Sequence, residues 1–445
     1  MEPVLRNTTG DASKSQDVYT KQQRIALHAR QSPQMSFTSL AYYMDYAWMA
    51  EAYNRTRKDG ASGIDNVTAE EYSVNLEENL KDLLDRAKSG RYRAPAVKRV
   101  YIPKGTSPTE KRPIGIPTFE DKILQRAVVM VLESIYEQDF IDGSYGFRPK
   151  RSAHKALQSI WKEIMRVGGG WVLEVDISKY FDTLKHKELR AFVKQRVCDG
   201  VLTKLVDKWL KAGVMESGNI RYPEDGTPQG GVISLLLSNI YLHEVLDKWF
   251  VQEIEPRLQG TAKLIRYADD FVILFANERD ALRVRDVLTK RFGRYGLSIN
   301  NDKTRLIDFR ISRIGNVENE KFDFLGFTHY WGKSRKDRWV LKRKTSSKRL
   351  TRIIKATSQW CKNNRHDTLE SQKKTLSRKL NGHYAYFGIT GNSFGLRTTY
   401  EETKRAWFKW LNRRSRQKDL TWKRFNLILE RYQLPKPRIV HSYVT

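Results

Sequence analysis

Apolar positions along the chain follow two rhythms, and each predicts its own kind of element. Between Asp121 and Phe140 they fall at 123, 124, 127, 128, 131 and 135, the three-and-four spacing of a helix. Phe37–Tyr53 and the stretch EEYSVNLEENLKDLLDRAKSG share that spacing, with Gly60 and Gly63 breaking the chain between them. YRAPAVKRVYIPK alternates as a strand does, and Trp171–Val175 reads as a buried strand entered through three glycines. Residues 264–275, LIRYADDFVILF, read as two buried strands on either side of Asp269 and Asp270. The pattern shows no internal repeat.

The pattern shifts near residue 332. From Lys333 to Lys355 there are 11 Lys or Arg residues against one acidic residue, Asp337. Three helices are expected here, at roughly 343–361, 368–389 and 396–412, with Leu350, Ile353, Ile354 and Trp360 on one apolar stripe. This is a separate helical domain. Residues 1–36 are polar and are expected to form a mobile segment.

The adjacent carboxylates of Asp269 and Asp270 raise a physical problem. An unpaired carboxylate in apolar surroundings costs several kcal/mol or takes up a proton. A polar pair between two apolar runs is often only a tight turn, which suits Asp. The alternative is a divalent cation such as Mg2+, and that requires a carboxylate from elsewhere in the chain. Asp176 meets the requirement, at the end of the strand WVLEV, where the chain turns into a helix. Such a cage could hold paired Mg2+ ions that activate a 3′-oxygen and steady a leaving pyrophosphate. Asp182 is a rival for the metal role, although its place near a helix start also fits a surface acid.

Charge narrows the class. Lys and Arg number 81 against 51 Asp and Glu, a formal net charge of +30, the balance expected of a protein that lies along phosphates. Membrane-surface proteins share it, but 11 Trp, 21 Tyr and 18 Phe favour nucleic acid, on whose bases rings can stack. Cys198 and Cys361 are the only cysteines, which excludes a disulfide scaffold and Cys-rich zinc sites. With no signal segment or membrane-length apolar run, a soluble intracellular protein is expected.

WVLEVDISKYFDTL, GTPQGGVISLLLSNIYL and RYADDFVIL together resemble the palm of reverse transcriptases. YIPKGTSPTEKRPIGIPTFEDKILQRAV resembles their fingers, and LSINNDKTRLI and FDFLGF their later palm motifs. The tail ending WKRFNLILERYQLPKPRIVHS is similar to the maturase (thumb) region of group II intron proteins, so that the resemblance covers roughly residues 37–445. It implies an α+β right-hand polymerase: fingers and palm with an antiparallel sheet at 37–332, an α-helical thumb/maturase domain at 333–411, and a basic DNA/RNA-binding segment at 412–445.

Residue by residue, the resemblance makes Asp176, Asp269 and Asp270 the catalytic carboxylates. They, with Ile177, would hold two Mg2+ ions. Phe181 matches the bulky gate against a sugar 2′-OH, and Gln229 a residue lining the incoming nucleotide, with Gly230 and Gly231 allowing close backbone approach. Lys104 and Arg112 match residues that hold the triphosphate, and Lys303 a proton donor to pyrophosphate. Lys342, Arg343, Lys344, Lys348 and Arg349 are the candidate nucleic-acid surface of the thumb.

The implied activity is RNA-directed DNA polymerisation that copies an intron RNA into DNA during retrohoming, together with assistance to its splicing. The implied partners are group II intron RNA, an RNA template with a DNA primer, a DNA target and dNTPs, without a membrane. The expected setting is a cytoplasmic, nucleoid-associated bacterial nucleoprotein complex. Two departures stand out. The family's proline after the serine of V-I-S-P-L-L is Leu235 here, and the Cys and His ligands of the family's endonuclease do not occur, which predicts the endonuclease-lacking form. The alternatives are a splicing maturase with a vestigial polymerase site, which intact carboxylates and Phe181 disfavour, or a reverse transcriptase recruited to phage defence or diversity generation.

Overall fold

The computed structural model describes residues 8–103, 111–216, 219–222, 225–227, 230–311, 320–334, 336–415, 417 and 419–442. Helices α1 (Thr8–Gln31), α2 (Tyr46–Arg55), α3 (Ala69–Ser73) and α4 (Leu76–Lys88) come first. Strands β1 (Val97–Pro103) and β2 (Lys111–Ile116) precede the long α5 (Phe119–Asp139) and α6 (Ala153–Val167). β3 (Trp171–Val175) leads through the single turn α7 (Tyr180–Thr183) to α8 (His186–Arg196) and α9 (Gly200–Leu210). Next come β4 (Val214–Glu216), β5 (Asn219–Arg221), α10 (Ser234–Leu242), β6 (Ala262–Tyr267), β7 (Asp270–Phe275), α11 (Glu278–Arg294) and β8 (Arg305–Asp308). The remainder is β9 (Phe322–Phe324), β10 (Phe327–Lys333), β11 (Trp339–Thr345), α12 (Ser347–Asn363), α13 (Leu369–Phe387), α14 (Ser393–Leu411) and α15 (Trp422–Arg431). Among the described residues the strands form sheets of order β2-β1-β4-β5, β6-β7-β3-β8 and β11-β10-β9. No helix among them is long and apolar enough to cross a membrane.

The chain divides into two compact units. One comprises Met1–Ser152, Val175–Phe271 and Arg279–Arg305; the other comprises Ala153–Glu174, Val272–Glu278 and Leu306–Thr445. The first is organised around α5, which is buried on nearly every side from Ile123 to Leu132. Thr118 caps it by accepting a hydrogen bond from the Asp121 amide at 3.2 Å. Asp121 is itself buried, and accepts hydrogen bonds from the Tyr92 hydroxyl, from Trp209 Nε1 (2.7 Å) and from Gln125 Nε2 (2.9 Å). Burial pushes its carboxyl up to about 6, against the pull of these donors.

Residues 8–31 depart from the expected mobile segment. They form α1, whose Val18, Ile25 and Ala29 are buried, and whose Gln22 Nε2 donates to the Met130 carbonyl of α5 at 3.1 Å. Three apolar positions spaced seven and four apart make a stripe too narrow to show against a polar helix, yet wide enough to dock it.

In the second unit, the basic stretch expected to begin a helix at 343 is instead the strand β11 followed by α12. β11 pairs antiparallel with β10, from Phe327 opposite Thr345 to Lys333 opposite Trp339. The expected boundary at 332/333 therefore falls inside a hairpin, and this compact unit reaches back to Leu306. The helices behind it follow the predicted spans closely. Asn392 ties them to the sheet: its Oδ1 accepts from the Thr345 amide at 2.9 Å, and its Nδ2 donates to Thr345 Oγ1 at 2.8 Å.

Candidate active site

The opening stretch LIRYADDFVILF folds as the pattern predicts. β6 and β7 are neighbours joined by Ala268 and Asp269, which makes them a hairpin and therefore antiparallel. Leu264, Ile265 and Phe271–Phe275 are buried, whereas Asp269 is half-buried in the turn and Asp270 is exposed at the start of β7. Ala268 sits at φ +57°, an unusual left-handed conformation for a residue with a side chain. The turn is crowded from outside as well, because a Cβ on Gly146 would lie 2.3 Å from the Ala268 nitrogen.

β3 lies beside β7, and Asp176 follows its last residue. The backbone past β3 is held by residues 298–304. The Asp176 carbonyl accepts from the Asn300 amide at 2.8 Å, and the Ser178 amide donates to the Ser298 carbonyl at 2.9 Å. Ile177 faces Ile299 between these bonds, in a pair that exchanges none itself, so its own N–H and C=O point away from residue 299. Lys303 Nζ stands 3.3 Å from Asp176 Oδ2.

Electrostatics bring the dispersed residues to one place. Burial holds the Asp269 carboxyl above the ordinary range, and the Asp176 carboxylate pushes the same way, while Arg112 on β2 and Arg266 on β6 oppose them. A raised Asp269 carboxyl beside a second carboxylate is suited to a hard cation, and the proposed donors are all oxygens: Asp176, Asp269, Asp270 and the Ile177 carbonyl. The Ile177 side chain is buried and offers no ligand atom. Among the described residues no three His, Cys, Asp or Glu side chains already converge on a metal position, so the donors fit by chemistry rather than as a closed cage. Asp182 is exposed, in the single turn α7.

Phe181 is half-buried in α7, edge-on to Tyr180 with ring centroids 5.3 Å apart. Its carbonyl accepts from the Thr227 amide at 2.8 Å. Further along that loop, a Cβ on Gly230 (φ +120°) would lie 2.7 Å from the Gly115 carbonyl of β2, the strand of Arg112. The glycine permits this close approach. Gln229 and Lys104 lie outside the described residues. α10 begins at Ser234 with Leu235 in its first turn, and the Ile233 amide donates to Gln125 Oε1 at 3.2 Å. A side chain from α5 thus takes an orphan donor at a helix start that lacks proline.

The candidate thumb surface divides. Lys344, Lys348 and Arg349 are exposed and Lys342 is half-buried, but Arg343 is 3% exposed. Its Nη1 donates to the Leu157 carbonyl at 3.2 Å. Alternation along β11 explains the correction: Leu341, Arg343 and Thr345 point inward, and Lys342 and Lys344 outward. Arg343 is a core group, not part of a phosphate-binding surface.

Sequence reasoning missed Arg266, Asp247 and Asn239, which are buried beneath the acidic turn. A signal was present. Asn239, His243 and Asp247 recur every four residues in SNIYLHEVLDKW, a polar stripe in a segment otherwise apolar enough for a core.

With this geometry in view, comparison with known proteins is direct. The family described as reverse transcriptase (RNA-dependent DNA polymerase) matches residues 102–329, about half of the chain. Protein YkfC of Escherichia coli is 36% identical over 322 residues, covering 64% of this chain and 83% of that protein. The group II intron-encoded protein LtrA of Lactococcus lactis subsp. cremoris is 41% identical over 235 residues, 52% of this chain but only 38% of LtrA. The putative COX1/OXI3 intron 2 protein of Saccharomyces cerevisiae is 26% identical over 419 residues, covering 81% of this chain and 46% of that protein. The chain belongs to the reverse transcriptases, the RNA-dependent DNA polymerases, and among them to the group II intron reverse transcriptase/maturase kind.

Proposed function

We propose that this protein copies a group II intron RNA into DNA during retrohoming and binds the same RNA to assist its splicing. The observation that carries the reading is the approach of Asp176 to the Asp269–Asp270 hairpin, with Arg112 and Lys303 close by. The fingers and palm are assigned to the chain before the β10–β11 hairpin, and the thumb to the α-helical region that begins with α12. The substrates are dNTPs and an RNA template with a DNA primer, and a DNA target receives the copy.

Asp176, Asp269, Asp270 and the Ile177 carbonyl would hold two Mg2+ ions. When bound, these supply Lewis-acid stabilisation of the charge that develops as a 3′-oxygen displaces pyrophosphate. The chain's own work is positioning and electrostatics. Arg112 presents a guanidinium to the triphosphate from β2, as Lys104 would from the segment before it. Lys303, next to Asp176, would give a proton to the departing pyrophosphate. The Phe181 ring borders the nucleotide and crowds a 2′-OH, and the family resemblance gives Gln229 the role of lining it. Lys342, Lys344, Lys348 and Arg349 offer cations to the dense phosphate of a folded RNA.

The purified full chain should extend a DNA primer on an RNA template when given dNTPs and Mg2+, and chelation should stop it. A chain that binds this duplex but extends no primer would overturn the polymerase reading. Splicing of the cognate intron separates the second role, since it should persist in Asp269→Asn.

A further inference from the structure

The turn that carries Asp269 rests on a polar network with no access to water. Arg266 and Asp247 are both 0% exposed, and Asn239 is 1% exposed. Arg266 Nε and Nη2 reach the two oxygens of Asp247 at 2.8 and 2.5 Å, a bidentate pair. Nη1 donates to Asn239 Oδ1 at 3.0 Å and to the Ala268 carbonyl at 3.1 Å. Asn239 Nδ2 in turn donates to the Gly146 carbonyl at 2.7 Å, and the Gly146 backbone packs against Ala268. The Arg266 backbone is fixed too, its amide donating to Gly143 and its carbonyl accepting from Tyr145, each at 2.8 Å.

Such a network is a poor way to gain stability. Ions this deeply buried lose their hydration, and a well-packed apolar pair of similar volume is often as stable or more so. What the network does supply is a fixed geometry at one point: the carbonyl of Ala268, the residue in the strained left-handed conformation immediately before Asp269. Backbone strain of this kind costs on the order of 1–3 kcal/mol and persists only where the surroundings over-determine it. Asp247 ends a π-helical turn, His243–Asp247, that continues from α10.

We infer that Arg266, clamped by Asp247 and Asn239, is a positioning residue that pins the Ala268 carbonyl and so aims the Asp269 carboxylate toward Asp176. This rests on the proposed polymerase site. Arg266 touches no substrate; it acts through the turn. A misplacement of about 1 Å at a reacting centre can cost about a hundredfold in rate. The effect belongs in kcat, because the groups that hold template, primer and triphosphate lie elsewhere.

The test uses the full chain and three variants: Arg266→Lys, the double variant Arg266→Met/Asp247→Leu, and Asp269→Asn as control. Folded fraction and melting temperature come from circular dichroism, duplex affinity from fluorescence anisotropy, and kcat and dNTP KM from primer extension per folded molecule. The double variant removes the clamp while leaving no unpaired buried charge, so it should fold even where Arg266→Lys does not. In the folded variants kcat is expected to fall by about a hundredfold, with KM and duplex affinity within about threefold of wild type. A double variant that melts like wild type and keeps its kcat per folded molecule would overturn the inference, leaving the network a purely structural one. Full extension by Asp269→Asn would instead remove the site reading itself, whatever the Arg266 variants do.

Discussion

The acidic hairpin at 262–275 and the basic strand–helix junction at 339–349 both concentrate charge, and the fold treats that charge in opposite ways. Around the hairpin, the carboxylates stand where strands end: Asp269 in the turn, Asp270 at the start of β7, and Asp176 just past the neighbouring β3. Their positions follow from the backbone, so a pattern of apolar runs is enough to find them. In the junction, four of the five candidate cations face outward to some degree and one is driven inside by the two-residue period of β11. Composition alone treats Arg343 and Lys344 alike. Where charge is common, only the local period tells a surface cation from a core one.

The site side of this comparison carries the largest expected effect after loss of a carboxylate. Phe181→Val should make room for a 2′-OH and raise ribonucleotide use relative to deoxynucleotide use by roughly tenfold to a hundredfold, measured as the ratio of kcat/KM values. An unchanged ratio would assign the ring to packing against Tyr180 only.

The junction makes the next prediction. Changing Lys344, Lys348 and Arg349 together to Gln should lower the slope of log affinity for intron RNA against log salt by about three units, roughly one per lost phosphate contact. Arg343→Met should leave that slope unchanged. It should instead destabilise the fold by about 1–3 kcal/mol in chemical denaturation, because a buried donor to the Leu157 carbonyl is lost. If Arg343→Met changed the salt slope as much as one surface lysine does, the inward placement would be wrong.

The last predictions concern pH, where Asp121 and His383 should differ in sign. Asp121, in the first, has its folded pKa raised to about 6 by burial, so between about 4 and 6 the folded state binds more protons than the unfolded one. Its contribution to stability therefore declines as pH rises through that window. His383, in the second, is buried and pushed down to about 4, so between about 6.5 and 4 the unfolded state takes up the extra proton. Its contribution declines as pH falls. Each is worth roughly 3 kcal/mol across its window. Asp121→Asn and His383→Gln should each flatten the corresponding limb in denaturation curves between pH 4 and 7, and identical pH dependence in all three proteins would discount both shifts.

Much of the fold was legible because α5, β3, β6 and β7 are elements whose burial imposes a period on the sequence. The N-terminal helix was not legible, since Val18, Ile25 and Ala29 are too few to stand out in a polar segment. The strand β11 was missed because its alternation runs through lysines and arginines, which also suit a helix. Within the site, Asp176, Asp269 and Asp270 could be found from the chain, as their chemistry demands partners. Arg266 could not, because an arginine inside an apolar strand gains its meaning only from Asp247 and Asn239, brought beneath it by the fold.

The central claim is that the carboxylates at these strand ends form a polymerase site, and single-turnover primer extension on RNA by Asp269→Asn tests it most directly. With circular dichroism confirming an intact fold, the account predicts a fall in rate of about a thousandfold or more, several kcal/mol of lost transition-state stabilisation. Extension at close to the wild-type rate would contradict it, and would return Asp269 and Asp270 to a tight turn between two strands.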